Sequence, residues 1–139
     1  MPPCVICSIV EGRIPAQRIY EDEQCLAFLD IRPVAPGHTM LVPKTHAPRI
    51  EDLSSEQAKA LFTALHKILA PIRDAVGADA TTIGVNNGPG SGQEVPHIHI
   101  HILPRRRGDN GGIVQQLGPG GEGDLAVTAE KIRATIAAL

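Results

Sequence analysis

The sequence is short of aromatic side chains and of surplus charge. It has no Trp, one Tyr and two Phe among 139 residues, too few for the stacking platforms on which single-strand nucleic-acid binders hold successive bases. Thirteen basic residues against fifteen acidic ones leave a formal charge of -2, so no broad positive surface is expected for a nucleic-acid backbone. Both shortages argue against a nucleic-acid substrate or partner.

Long apolar runs are also missing. No run approaches the roughly 20 residues that cross a bilayer, and residues 1–4 lack the charged and apolar regions of a secretory signal. We therefore expect a cytoplasmic protein with no membrane partner. Thiols stay reduced in that compartment, so Cys4 and Cys7, in a Cys-x-x-Cys pattern, indicate a metal or redox role before a disulfide. Cys25 stands alone in an apolar stretch, which indicates a small core residue.

The length and the apolar fraction of 42% predict a single domain over residues 1–139. Ser54 and Gln57 form a capping box that starts one long helix ending near Gly77, and we expect Pro71 to kink or shorten it. Apolar runs between turn residues predict strands at 18–21, 25–29, 39–42, 82–86 and 97–103. Because the strands are neighbours along the chain, the predicted class is α+β, with an antiparallel sheet of about five strands. A C-terminal extension, 106–139, is expected to hold a Gly-rich connector at 118–123 and a helix near 124–138.

Three histidines alternate with isoleucines in the stretch His-Ile-His-Ile-His-Ile-Leu at 97–103. Successive side chains of a strand point to opposite faces, so we expect His97, His99 and His101 on one face and the isoleucines on the core face. Three interpretations fit: a polar sheet face, a metal held by the three rings, or nucleophilic catalysis at phosphorus. In the third, a neutral imidazole attacks and a neighbouring imidazolium stabilises the phosphate.

The segment just before the histidines favours catalysis at phosphorus. Gly88, Gly90 and Gly92 let backbone amides approach an anion closely, and Asn86 and Asn87 add donors. The loop lacks the Gly-Lys-Ser/Thr of nucleoside triphosphatases, and taken alone it would be an ordinary turn. Next to the histidines it predicts cleavage of a phosphorus bond in a small nucleotide.

The histidine pattern resembles the signature of the histidine triad family, and the similarity extends to segments 14–15, 20–22, 26–31, 36–38, 42–46, 85–88 and 92–93. The resemblance implies the histidine triad fold and a homodimer. It also implies hydrolysis or transfer at phosphoramidate or dinucleoside polyphosphate bonds, through a covalent nucleotidyl-histidine that releases a nucleoside monophosphate such as AMP. The expected substrate is a purine nucleotide, adenosine-based. The uridylyltransferase branch carries a proline inside its motif, and Ile98 and Ile100 argue against that branch.

The resemblance also assigns residues. It makes His99 the nucleophile, His101 the group that binds phosphate and assists the leaving group, and Asp30 the carboxylate that accepts hydrogen bonds from the ribose diol. Apolar contacts to the base are expected from Val5, Ile6, Ile9, Phe28 and Ile31. The remaining nucleotide contacts are expected from His38, Asn86, Gly92 and Gln93. Glu94 departs from the branch that has a small hydroxyl residue there, and we do not count it as a phosphate ligand.

Cys4 and Cys7 have the spacing of a zinc knuckle, but a tetrahedral site needs two further ligands. The resemblance to bacterial zinc-containing members of the family supplies His46 and His97 and implies a structural zinc, with reduced free thiols as the alternative. For Arg105, Arg106 and Arg107 a solvated basic run is favoured over a role at distal phosphates. His66 is interpreted as a surface residue.

Two rival functions stay open at this point. One is a nucleotide-binding regulatory or adaptor protein whose hydrolysis is incidental. The other is a metal-dependent hydrolase with all three histidines on one catalytic metal.

Overall fold

A computed structural model describes residues 4–109 and 123–139. Its strands form one antiparallel five-stranded sheet in the order β1-β2-β3-β5-β4. The strands are β1 (Arg18–Glu21), β2 (Cys25–Leu29), β3 (Thr39–Pro43), β4 (Ala80–Val85) and β5 (Ile100–Arg105). The helices are α1 (Val5–Val10), α2 (Ser55–Ala75) and α3 (Leu125–Ala137). The predicted α+β class with an antiparallel sheet of five strands is confirmed.

The sheet is covered by apolar side chains on both faces. One face carries Cys25, Ala27 and Leu29 of β2 together with Leu41, Ile100 and Ile102, and it packs under α2 and α3. The opposite face carries Leu26, Phe28 and Val42 and packs against Ile6 of α1. Because neither face of β2 meets water, all five of its residues are buried. Cys25 and the three isoleucines of the histidine motif are fully buried, as predicted.

The long helix α2 begins at the predicted capping box. The Ser54 hydroxyl accepts the Gln57 N–H at 3.1 Å, and the Gln57 side chain accepts the Ser54 N–H at 2.8 Å. Of the predicted kink or shortening at Pro71, the shortening does not occur, because the helix continues to Ala75. Pro71 is buried, and its carbonyl accepts the hydroxyl of Thr135 from α3 at 3.0 Å. The helix therefore continues through a residue that cannot donate a backbone hydrogen bond, at a point where it contacts α3.

The histidine motif enters the sheet later than predicted. β5 starts at Ile100, so His97, Ile98 and His99 precede the ladder. The Ile98 N–H donates to the Ala47 carbonyl at 2.7 Å, a bond that is not part of the pairing of β5 with β3 or β4. The β4 boundaries differ as well, since the strand begins at Ala80 and ends at Val85. The region that carries the first two histidines thus lies outside the sheet and is held by the segment after β3.

Helices α1 and α3 complete the fold. Helix α1, which the sequence analysis did not predict, begins after Cys4, whose Sγ accepts the Cys7 N–H at 3.3 Å. Helix α3 begins after Asp124, whose carboxylate accepts the Ala126 N–H at 2.8 Å, in agreement with the helix predicted near 124–138. The predicted connector at 118–123 lies outside the described residues except for Gly123. In the part of the chain that the structure describes, no helix has the length and apolarity needed to cross a membrane.

Candidate active site

His99 lies immediately before β5 and is 8% exposed. Its Nδ1 is 2.8 Å from the carbonyl oxygen of His97. A carbonyl oxygen can only accept a hydrogen bond, so Nδ1 carries the proton and Nε2 of the neutral ring keeps a free lone pair. The backbone therefore fixes a tautomer with one nucleophilic nitrogen.

His101 lies beside His99, with their ring centroids 5.0 Å apart. The Nδ1 of His101 is 3.0 Å from Nε2 of His38, and the Val34 N–H donates to Nδ1 of His38 at 3.2 Å. A neutral His38 that accepts at Nδ1 carries its proton on Nε2 and donates it to His101. His101 consequently carries its own proton on Nε2, where it is available as a donor.

Burial decides the charge of these two rings. It lowers the pKa of His101 to about 4, with smaller contributions from His99 and His38 in the same direction and an opposing one from Asp30. Burial also lowers the pKa of His38, again opposed by Asp30. Both rings are neutral at pH 7 in the ligand-free protein. The neutral His101 ring still offers its Nε2–H to a phosphate anion, whereas protonation at Nδ1 would set N–H groups of His101 and His38 against each other.

An apolar cavity of about 300 Å³ borders the histidine group at Asp30. It is lined by all five residues predicted to contact the base, namely Val5, Ile6, Ile9, Phe28 and Ile31. Its wall also includes Ile14, Pro15, Ala16, Leu29, Met40 and Val95, which the sequence analysis did not assign. Met40 pairs with Phe28 on one side and with His101 on the other, so strand alternation alone could have found it. The cavity is mostly apolar and is of the size of small-molecule ligand pockets.

Asp30 is the charged residue of this cavity. Its Oδ1 accepts the Arg32 N–H at 2.8 Å, and its Oδ2 lies 3.6 Å from Nε2 of His38. The carboxylate is thus fixed at the boundary between the apolar cavity and the histidines. A ribose joining a base in the cavity to a phosphate at His99 would pass this point.

The glycine-rich loop between β4 and β5 is tied to the segment 47–51. Asn87 accepts the Ile50 N–H and donates to Glu51, both at 2.8 Å. The side chain of Asn86 lies beside Gly92, 3.8 Å from where a Cβ would stand. Gln93 accepts the Gly88 N–H at 2.7 Å, so the structure brings the three predicted phosphate-loop residues Asn86, Gly92 and Gln93 into one loop.

Cys4, Cys7, His46 and His97 meet in one corner of the protein, where their ligand atoms all lie within 4.8 Å of one another. The Cys7 Sγ is 3.4 Å from Nδ1 of His46 and 3.5 Å from Nδ1 of His97. The Cys4 Sγ is 3.5 Å from Nδ1 of His97, and the two Nδ1 atoms are 3.3 Å apart. A tetrahedral zinc separates two nitrogens by about 3.3 Å and a nitrogen and a sulfur by about 3.6 Å. The donor set fits such an ion in number, chemistry and spacing.

The hydrogen bonds around this corner suit metal binding. Nε2 of His97 is 2.8 Å from the Pro43 carbonyl, so it carries the proton and leaves the Nδ1 lone pair facing the cysteines. Burial lowers the pKa of His97, which keeps the ring neutral. Burial and the neighbouring Cys4 raise the pKa of the Cys7 thiol to about 11, so metal binding there would have to displace a proton.

The structure separates the three histidines of the motif. His97 belongs to the cysteine corner, whereas His101 groups with Asp30 and His38, and His99 belongs to neither group. Among the described residues the three rings are therefore not gathered around one metal position. This arrangement removes the basis for a hydrolase with three histidines on one catalytic metal.

The remaining predicted residues lie elsewhere. Arg105 ends β5 at the opposite end from His101, pairs with Asp109 and donates to Thr82. The guanidinium of Arg106 donates to the Val76 carbonyl, while Arg107 is exposed. His66 is exposed on α2, as predicted. The basic run is thus part of the surface structure away from the histidines.

The HIT domain model matches residues 11–108 of the chain. The chain belongs to the HIT domain family. The match covers the whole five-stranded sheet and α2, together with Asp30, His38 and the motif histidines. It ends before α3.

HIT relatives include the Bacillus subtilis "Protein hit", 45% identical over 80% of this chain and 77% of that protein. The Arabidopsis thaliana "Adenylylsulfatase HINT3" is 39% identical over 76% of this chain and 54% of its own length. The Schizosaccharomyces pombe "Bis(5'-nucleosyl)-tetraphosphatase [asymmetrical]" is 35% identical over 69% of this chain and 53% of its own. A crystal structure of a Zn-bound histidine triad protein from Mycobacterium smegmatis superposes with a TM-score of 0.85 at 38% identity, covering 97% of this chain and 94% of that one.

Proposed function

We propose that this HIT protein hydrolyses or transfers nucleotidyl groups, acting on adenosine phosphoramidates or dinucleoside polyphosphates and releasing a mononucleotide such as AMP. The observation that carries the proposal is the 2.8 Å contact from Nδ1 of His99 to the His97 carbonyl, which leaves Nε2 as a free nucleophile. HIT relatives named as an adenylylsulfatase and as a dinucleoside tetraphosphatase support nucleotide hydrolysis as the general activity.

In the proposed mechanism the base occupies the apolar cavity and Asp30 accepts hydrogen bonds from the ribose hydroxyls. Nε2 of His99 attacks the α-phosphorus, a P–N bond forms to the ring, and the bond to the leaving amine or phosphate breaks. The pair of electrons departs with the leaving group, which is assisted by a hydrogen bond from Nε2 of His101 and takes a proton from the incoming water. The oxygen of that water then bonds to the same phosphorus, the P–N bond breaks with its electron pair returning to Nε2 of His99, and AMP is released.

The environment of His101 suits a donor of this kind. His38 holds its Nδ1 at 3.0 Å, so the ring directs its second nitrogen away from the protein partner. The ring is neutral because burial lowers its pKa to about 4, and its Nε2–H can donate a hydrogen bond to the oxygen or nitrogen that gains negative charge as the leaving group departs. A donor placed at developing charge in this way is typically worth about 10²–10³ in rate.

The deciding experiment measures AMP release from adenosine 5′-phosphoramidate and from diadenosine tetraphosphate. We expect release by wild type, none above background by His99→Ala, and wild-type rates from His66→Ala, which removes an exposed histidine on α2. Acid-quenched reactions should contain an adenylylated protein whose label maps to His99. Tight AMP binding by wild type without turnover would instead favour the regulatory or adaptor function.

We also propose that Cys4, Cys7, His46 and His97 hold a structural zinc ion. The inter-ligand distances of 3.3 to 3.5 Å agree with a tetrahedral site, and the Zn-bound M. smegmatis relative supports the same metal. Four protein ligands leave no open position, so the ion would fix the position of α1 and the motif and would not activate water.

A homodimer, a single domain over 1–139 and a cytoplasmic location complete the proposal. Light scattering on the purified protein tests the first, with a mass of twice 14.7 kDa expected. Limited proteolysis tests the second, since one domain should give one resistant core. Fractionation of the native cell tests the third.

A further inference from the structure

Gln93 occupies a phosphate-loop position, yet its side-chain amide is committed to the protein. Its Nε2 donates to the Pro48 carbonyl at 2.7 Å and to the Val95 carbonyl at 2.9 Å. Its Oε1 accepts the Gly88 N–H at 2.7 Å. A primary amide has two N–H donors, and here both are used. Donation to a phosphate would require Gln93 to give up one of these bonds.

The three partners of Gln93 lie on different parts of the site. Gly88 begins the turn of the glycine-rich loop with a φ of 102°, a conformation that only glycine adopts without strain. Val95 lines the apolar cavity. Pro48 belongs to the segment that follows β3 and His46. One amide thus connects the start of the loop, the cavity wall and the neighbouring segment.

Adjacent contacts strengthen the same connection without replacing it. The Arg49 guanidinium lies over Gly88, with its central carbon 2.9 Å from where a Cβ would stand. Ile50 and Asn87 are hydrogen-bonded at 2.8 Å. These contacts hold the outer side of the loop, whereas Gln93 alone among the described residues bonds both Gly88 and Val95 through its side chain.

We propose that Gln93 is a positioning residue: it holds the glycine-rich loop in the shape that presents backbone amides to the phosphate, and it makes no hydrogen bond to the phosphate itself. This inference rests on the proposed function for its ligand, a 5′-mononucleotide, but its structural part can be tested without any nucleotide.

The first test is hydrogen exchange in the nucleotide-free protein. Gln93→Met keeps the length of the side chain and removes all three hydrogen bonds, so amide exchange across 88–95 should accelerate by about tenfold or more, because these bonds oppose local opening of the loop. Gln57→Met is the matched control, because it removes an amide from the capping box of α2. Unchanged exchange at 88–95 in Gln93→Met would overturn the proposal, even if wild type bound no nucleotide.

The second test compares ligands with and without the phosphate. In Gln93→Met the Kd for AMP should rise about tenfold while the Kd for adenosine stays within about twofold, because the cavity is intact. Equal weakening of both ligands would show a general structural role and would contradict the proposal. Should Gln93→Met fail to fold, Gln93→Leu serves instead, since it is also neutral and removes the same three hydrogen bonds.

The third test examines the AMP complex of the wild type. We expect Nε2 of Gln93 to remain within 3.2 Å of both carbonyls, about the limit for such hydrogen bonds. A hydrogen bond from Nε2 to the phosphate would overturn the inference and leave the proposed function standing. If wild type fails to release AMP, the proposed function is wrong, while the role of Gln93 in holding the loop is still decided by hydrogen exchange.

Discussion

Two backbone carbonyls give two histidines of the motif opposite tautomers. Nε2 of His97 donates to the Pro43 carbonyl, which frees Nδ1 for the cysteine corner. Nδ1 of His99 donates to the His97 carbonyl, which frees Nε2. Hydrogen bonds to backbone carbonyls therefore expose opposite ring nitrogens in two histidines that are two residues apart. The residue type alone does not distinguish these roles.

The low pKa of His101 predicts acid sensitivity. An unfolded histidine titrates near 6.5, so between pH 6.5 and about 4 the unfolded chain binds more protons at this position than the folded one. Stability should therefore fall as the pH falls through this window. His101→Asn should show a smaller decrease in the free energy of unfolding between pH 7 and pH 5, measured by urea denaturation. His38 and His97 have lowered pKa values too, so part of the decrease should persist.

The exposed His66 provides the control for this prediction. His66→Asn should keep the wild-type dependence on pH. An equal decrease in His101→Asn and wild type would mean that His101 does not remain neutral in the folded protein.

The fixed carboxylate of Asp30 predicts selectivity for the sugar. Asp30→Asn replaces a charged acceptor with a neutral one, and charged hydrogen bonds are worth about 1.5–3 kcal/mol. The Kd for AMP should rise by about tenfold or more, whereas 2′,3′-dideoxy-AMP should bind both proteins alike. Calorimetric titrations of the two ligands measure this. An equal loss for both would place the carboxylate away from the ribose.

At the scale of elements, the regular parts were predictable and the irregular ones were not. The capping box at Ser54 and the short apolar runs of β2 and β3 between turn residues depend on local sequence, and these elements formed as predicted. Helix α1 was missed because it has six residues and depends on distant groups: Arg18 donates to the carbonyls of Ile9 and Val10. An isolated helix of six residues has little stability of its own.

The predictions for the site divide in the same way, into residues that the sequence could assign and contacts that it could not. Five residues were expected from the family resemblance to contact a base, and all five line the apolar cavity. The start of β5 was predicted three residues too early, because alternation of side chains cannot reveal that Ile98 bonds to Ala47 in place of a strand. The hydrogen bonds of Gln93 join residues up to 45 positions apart, and no local pattern contains them.

The turn before β3 offers a prediction at this scale. Gly37 has a φ of 87°, and a Cβ there would stand 3.0 Å from Val76 and 3.1 Å from Pro104. Gly37→Ala combines backbone strain with overpacking, so it should destabilise the fold by about 1–3 kcal/mol. Gly12→Ala is the matched control, because Gly12 has a φ of 80° and open space around the Cβ. Denaturant unfolding should show the greater loss for Gly37→Ala; equal losses would mean that packing at Gly37 contributes nothing.

At the scale of the molecule, the cysteine corner joins three distant parts of the chain. Cys4 and His97 are 93 positions apart and Cys7 and His46 are 39 apart, yet their ligand atoms are in contact. His46 leads directly into the segment that holds the glycine-rich loop, and His97 leads into His99, the proposed nucleophile. A metal in this corner would therefore fix α1, the loop and the start of β5 relative to one another.

Metal removal should then affect stability more than chemistry. An ion that binds the folded state stabilises it by mass action, so a chelator should lower the Tm by more than about 5 °C. Cys7→Ser should contain less zinc by elemental analysis and should lose most of the response to chelator. Cys25→Ala, which alters a buried thiol outside the corner, should keep its zinc.

Because four protein ligands leave no position for water, chelated protein that is still folded at low temperature should continue to release AMP. Complete loss of AMP release from folded, chelated protein, with activity retained in Cys7→Ser, would mean instead that a different metal site carries the reaction.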